Sequence, residues 1–230
     1  MARWKYKTSI LDINTVIPPN AILCDESGNC VVDGIPGGLE TLKDIWELAK
    51  ANGMNVHCDG ARLFNAVVAT GTPAAEYARY ADTVTFCLSK ALGCPLGSVL
   101  CGPAEVIEKA HRFRKMLGGG MRQVGIVAAA GLHALEHHID RLADDHARAQ
   151  RFRAGIEGTP GLALPMPSPT NMVFVEVADA RAFAAKLTER GVKVLATGPT
   201  RVRTVFHLDI DDAGVDQAVE AFKSVAASTP

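Results

Sequence analysis

Lys90 is the residue whose setting says most about chemistry. It stands in Phe86-Cys87-Leu88-Ser89-Lys90-Ala91-Leu92-Gly93-Cys94-Pro95, directly after the apolar run Thr83–Leu88. Upstream, the strand-like run Met54–His57 leads into a polar corner at Asp59-Gly60. An amine and a carboxylate at the carboxyl ends of two strands sit where open α/β sheets bind ligands. Together they suit pyridoxal phosphate. The lysine forms a Schiff base with the cofactor, and the carboxylate keeps the ring nitrogen protonated so that the ring accepts electrons from a carbanion. A third segment, Gly118-Gly119-Gly120-Met121-Arg122-Gln123, lets backbone approach a ligand closely and offers a guanidinium for phosphate. Each piece alone has a plainer use. A lone lysine at a strand end is a surface charge, Asp59 ahead of Gly-Ala-Arg-Leu-Phe is a helix N-cap, and the triglycine is a flexible inter-helix loop.

The elements that must hold these residues follow from breakers and periodicity. Residues 1–35 are interrupted by Pro18-Pro19, Gly28 and Gly34 and read as loops with at most a short strand. Leu39, Leu42, Ile45, Trp46 and Ala49 fall near helical spacing, with Gly53 as the C-cap. A strand is expected at Met54–His57, a helix from Arg62 to about Ala69, a short helix from Pro73 to Tyr80, and a strand at Thr83–Leu88 with Gly97–Cys101 as hairpin partner or near neighbour. Pro103 opens a helix as an N1 residue does, and Gly118-Gly119-Gly120 stops it. From Arg122 to about Ile156 there is room for one long helix or two in sequence. After Gly158-Thr159-Pro160-Gly161 the expected order is strand Met172–Val177, helix Ala180–Arg190, strands Val192–Leu195 and Arg201–Ile210, and helix Ala213–Ala227. This predicts two units: residues 1–157, with a bridging helix, and a small α+β domain at 158–230.

Composition narrows the function. The 230 residues carry a net charge of −1, which leaves no electrostatic footprint for nucleic acid or an anionic membrane. The basic stretch Lys109–Lys115 reads as a solvated helix face. No apolar run approaches the roughly twenty residues of a membrane span, and no signal peptide is evident at the N-terminus. Six cysteines without a CxxC pair read as reduced thiols in a cytoplasmic protein. Cys58, Cys87 and Cys94 read as small packing residues. His133 and His137 are four apart and His138 follows, a spacing able to bind a metal. With no HExxH and no third ligand, they read as a solvated or interface helix face.

In combination these segments resemble the low-specificity L-threonine aldolase family, a branch of the β-eliminating-lyase-like, fold-type I pyridoxal-phosphate enzymes. The resemblance rests on His57-Cys58-Asp59-Gly60-Ala61-Arg62-Leu63-Phe64-Asn65-Ala66, on Cys87 to Pro95 (with Ala91 where glycine is usual), and on Arg114-Lys115 through Gln123. It rests also on Arg203-Thr204-Val205-Phe206-His207-Leu208-Asp209, with Phe206 in place of threonine. It covers about residues 38–222. It implies an α/β fold with a mixed, mostly parallel sheet in an incomplete large domain, and the small C-terminal domain beside it. It implies that Lys90 links to the cofactor, Asp59 pairs with the pyridine nitrogen, and Arg122 neutralises phosphate together with Ser89. Arg62 and Arg203 hold the substrate α-carboxylate, with Arg201 the alternative on the same strand face. The implied reaction is retro-aldol cleavage of a small β-hydroxy amino acid, threonine or allo-threonine, to glycine and an aldehyde, in a homodimer or homotetramer.

The family's N-terminal third, with a phosphate loop and a ring-stacking histidine, is expected to be missing, which would leave a sheet edge unpaired. The base for the β-hydroxyl is open between His57 and His207, either of which also reads as a structural strand histidine. Two other readings stand beside the aldolase: another pyridoxal-phosphate lyase, and a catalytically impaired homologue that associates with a full-length subunit.

Overall fold

The computed structural model describes residues 23–24, 30–32, 35–36 and 39–228. Most of the expected loop region at 1–35 lies outside the described residues. Within it, β1 (Leu23–Cys24), β2 (Cys30–Val32) and β3 (Ile35–Pro36) form an antiparallel three-stranded sheet.

The second sheet carries the predicted chemistry. Helix α1 (Leu39–Ala51) leads through Gly53, at φ +64°, into β4 (His57–Asp59). The chain then forms α2 (Leu63–Thr70) and α3 (Ala74–Ala78) and returns as β5 (Thr83–Cys87), parallel to β4. This is a βαβ crossover, the connection that parallel strands require. Strand β6 (Ser98–Cys101) then pairs antiparallel with β5, so the sheet is mixed, in the order β4-β5-β6.

The strand expected at Met54–His57 forms later, at His57–Asp59. Asp82 explains the shift. Its carboxylate accepts the Val56 N–H at 2.7 Å and the Lys50 ammonium at 2.7 Å, committing Val56 to the turn before the ladder begins. Burial raises the Asp82 pKa, but the Lys50 and Val56 hydrogen bonds outweigh it and hold the carboxyl below its ordinary value. Asp59 is therefore the last residue of a strand and not a helix cap; Arg62 occupies the N-cap of α2, without a side-chain cap bond.

Pro103 sits at the N-cap of α4 (Ala104–Met116), one position before the expected N1. The long segment resolves into two helices, α5 (Gly125–His137) and α6 (Leu142–Ile156). The third sheet is antiparallel, in the order β7 (Met172–Glu176), β9 (Arg201–Val205), β8 (Leu195–Ala196). Helices α7 (Ala180–Glu189) and α8 (Asp212–Ala227) start at side-chain caps: Asp179 accepts from the amides of Arg181 and Ala182, and Asp211 from that of Gly214.

Two expected strands are shortened most. Val192 donates its N–H back to Leu187 across the Gly191 helix end, so β8 begins only at Leu195. Strand β9 ends at Val205 because the Asn171 side-chain amide, not a backbone N–H, donates to the Phe206 carbonyl at 2.8 Å.

The C-terminal core packs Val173 and Val175 of β7 and Val202 of β9 against Phe183, Leu187, Val215 and Phe222, with Phe152 from α6. The Phe152 and Phe222 rings meet edge to face at 4.9 Å. A second cluster gathers Leu88, Leu92 and Ala134 around Leu142, also from α6. One helix therefore serves both clusters. It is pinned to α2 by Asn65 Nδ2, 3.0 Å from His146 Nε2 in the interior. Burial holds the His146 pKa below its ordinary 6.5, against the pull of the neighbouring Asp145 charge.

Two outcomes follow from this packing. A Cβ on Gly155 of α6 would stand 2.7 Å from Val219 Cγ2 of α8. Gly155→Ala gains about 1 kcal/mol of helix propensity but incurs overpacking of about 1–3 kcal/mol. It should lower the thermal midpoint, and Val219→Ala in the same chain should restore it. For His146 the sign is set by its lowered pKa: the unfolded chain takes up the proton first. The stability it contributes is complete above about pH 6.5 and is lost as the pH falls from there toward the lower folded-state value. Denaturant titrations across that window should show the slope in wild type and a flatter profile in His146→Gln.

Candidate active site

Because β4 and β5 run parallel, their carboxyl ends lie on the same side of the sheet. Asp59 closes β4 opposite Thr85, and the next residue, Gly60, has room for nothing larger: a Cβ there would stand 3.0 Å from the Thr85 carbonyl oxygen. The chain then passes Arg62 and enters α2. From the end of β5 it runs through Leu88 and Ser89 to Lys90 and closes a tight turn, with Gly93 N–H donating to Lys90 O at 3.0 Å and Cys94 N–H to Leu88 O at 3.1 Å. Buried Leu88, Ala91, Leu92 and Cys94 anchor this turn, so the lysine is carried on packed structure.

A cleft of about 410 Å³ opens where this turn faces the C-terminal sheet. Its wall includes Arg62, Ser89 and Lys90 from one side and Asn171, His207 and Asp209 from the other. Two fixed cations against one carboxylate favour an anionic ligand. Asn171 is 1% exposed, and its Oδ1 has no hydrogen-bond partner among the described residues. Its amide orientation is set by the Phe206 carbonyl, which can only accept, so Nδ2 is spent there. In the sequence, the one signal for Asn171 is a polar residue heading the apolar strand Met172–Val175. His207 lines the same wall, with Nδ1 3.5 Å from Asp209 Oδ2.

The two arginines of β9 separate cleanly. Arg201 Nε bonds Glu176 Oε1 at 2.6 Å, and hydrogen bonds from Thr200 and Arg201 hold the Glu176 carboxyl below its usual range. Arg203 lies on the same strand face as Arg201 and Val205; Val205 is a wall residue and Arg203 is not. Its Nε is buried without a hydrogen-bond partner among the described residues. Of the sequence-predicted site residues, Lys90, Ser89 and Arg62 meet in the wall. Asp59 stands at the adjoining strand end, partly buried, and is not a wall residue. Arg122, beyond the glycine turn, is exposed and is not a wall residue either. An amine, a hydroxyl and a guanidinium in one cleft, beside an uncommitted amide oxygen, form a donor set that fits pyridoxal phosphate and an amino-acid carboxylate.

Comparison with known proteins agrees with the geometry. The sequence model of the family described as beta-eliminating lyase matches residues 14–180, beginning upstream of the motif-bearing region at 38–222. Low-specificity L-threonine aldolase 1 of Arabidopsis thaliana is 36% identical over 91% of this chain, and the low specificity L-threonine aldolase of Escherichia coli O157:H7 is 44% identical over 74% of it. The chain spans 60% and 51% of those two relatives, so it corresponds to little more than half their length. Among solved structures, Leishmania major threonine aldolase superposes with a TM-score of 0.68 at 22% identity, covering 82% of this chain and 56% of that one. An aminotransferase from Streptoalloteichus hindustanus gives 0.60 at 19% identity, covering 85% and 64%. These likenesses show the fold: the fold-type I α/β class, with a mixed sheet. With the family match running through most of its length, the chain belongs to the beta-eliminating lyase family.

Proposed function

We propose that this chain holds pyridoxal phosphate and cleaves L-threonine or L-allo-threonine to glycine and acetaldehyde, as a carbon–carbon lyase. The observation that carries this reading is the convergence of Lys90 and Arg62 on one cleft, in a chain whose relatives are named for threonine cleavage. When bound, the cofactor supplies an electron sink for the carbanion left at Cα. Lys90 Nζ would hold it, Asp59 would keep its ring nitrogen protonated, and Ser89 and Arg122 would meet its phosphate. Arg62 and Arg203 grip the substrate α-carboxylate; a planar guanidinium can do so with two parallel hydrogen bonds and thereby orient the Cα–Cβ bond.

The β-hydroxyl must lose its proton as that bond breaks. Of the two histidines open for this task, His57 engages both ring nitrogens, with Thr83 Oγ1 at 2.8 Å and Thr85 Oγ1 at 3.4 Å, and is not a wall residue. His207 is in the wall, and we assign the proton to one of its ring nitrogens. We place the reaction in the cytoplasm; Cys58, Cys87, Cys94 and Cys101, all free thiols, support this. No helix among the described residues is long and apolar enough to cross a membrane. We also infer a homo-oligomer, a dimer or tetramer. Leu117 and Ile126, 86% and 79% exposed, flank the glycine turn between α4 and α5 with exposed Met116 and Met121 near them in sequence, and they offer apolar side chains for such a contact.

The lysine is tested by adding pyridoxal phosphate, reducing with borohydride and mapping peptides. The adduct should fall on Lys90 and vanish in Lys90→Ala, while threonine releases acetaldehyde from the unreduced protein. An adduct that persists in Lys90→Ala would sink the assignment. A Lys90 adduct without acetaldehyde would transfer the reading to another β-eliminating chemistry. For assembly, Leu117→Asp with Ile126→Asp should lower the mass measured by sedimentation equilibrium; an unchanged mass would place the subunit contact elsewhere.

A further inference from the structure

We propose that His138 is a positioning residue that fixes the turn carrying Lys90. The proposal rests on the reading of Lys90 as the cofactor-linking lysine. The histidine group at the end of α5 forms no metal set: among the described residues no group of three or more His, Cys, Asp or Glu side chains is placed to hold an ion. The rings pack on one another, His133 lying 4.6 Å from His137 and 5.3 Å from His138. His138 alone reaches across to the lysine turn. Its Nδ1 is 2.7 Å from the Leu92 carbonyl oxygen. A carbonyl only accepts, so Nδ1 carries the proton and donates.

Leu92 lies two residues beyond Lys90 and is 2% exposed. The next residue, Gly93, at φ +73°, is pressed from both sides: a Cβ there would stand 3.3 Å from Leu208 Cδ2 and 3.5 Å from His138 Nδ1. A second tie to the same helix runs from Cys94 Sγ to the Ala130 carbonyl at 3.4 Å. The stronger tie is therefore the imidazole, placed at the C-cap of α5 where the chain breaks before α6. Removing the donor strands a buried carbonyl. Such a group seeks a new partner, and the backbone that must move to find one carries Lys90.

Asparagine and leucine have nearly the same size and shape, and only asparagine offers an N–H. His138→Asn and His138→Leu therefore form a matched pair. In the ligand-free protein, hydrogen–deuterium exchange across residues 88–94 should be faster in His138→Leu and close to wild type in His138→Asn. Borohydride trapping of pyridoxal phosphate on Lys90 should slow by about tenfold or more in His138→Leu and recover in His138→Asn. His137→Ala, at a histidine that does not touch the turn, should change neither. If the two His138 variants match each other in both exchange and trapping, the proposal is overturned. If wild type traps no cofactor, the reading of Lys90 fails, and the exchange comparison still decides whether His138 holds the turn.

Discussion

The parallel pairing of β4 with β5 is the constraint on which the site depends. Only that pairing brings two carboxyl strand ends to one side of a sheet, with Asp59 closing one and Ser89-Lys90 continuing the other. Parallel strands demand a crossover, and here the crossover begins with Arg62 and α2. The connection that topology makes unavoidable thus also delivers a guanidinium to the cleft. The antiparallel strand β6 then backs the lysine segment through the Gly97 carbonyl, which accepts from the amides of Leu88 and Ser89 at 2.9 and 3.2 Å.

The other wall comes from a sheet that shares no strand with the first. Its contribution to the cleft lies at one end of the ladder, at Asn171, Val205, His207, Leu208 and Asp209. There the Asn171 side chain substitutes for backbone, and the chain is free to turn inward. Strand β9 carries two arginines on one face and uses them differently. Arg201 is spent on Glu176, whereas Arg203 keeps a buried donor uncommitted. A buried donor in that state costs free energy for as long as it has no partner.

Much of this was legible in the residues. Lys90 could be placed at a strand end because Thr83–Leu88 is an unbroken apolar run between Asp82 and a small-residue turn. The break between α5 and α6 was visible only as a choice, since Arg122–Ile156 contains no proline; at the break His138 reaches a carbonyl 46 residues away. Strand β4 starts three residues later than its local pattern suggests because Asp82, 26 positions downstream, takes the Val56 N–H. Local pattern holds no trace of such a bond. Asn171 was missed for the same reason, its partner Phe206 being 35 residues distant. The family match begins at residue 14, upstream of the chemistry-bearing motifs, which all fall after residue 38.

Helix α6 places Leu142 in one apolar cluster and Ala149, Phe152 and Ile156 in the other. Neither cluster can dissolve without uncoiling part of a helix that the other also uses. Packing of this kind should couple the two halves of the cleft in unfolding, through the helix they share.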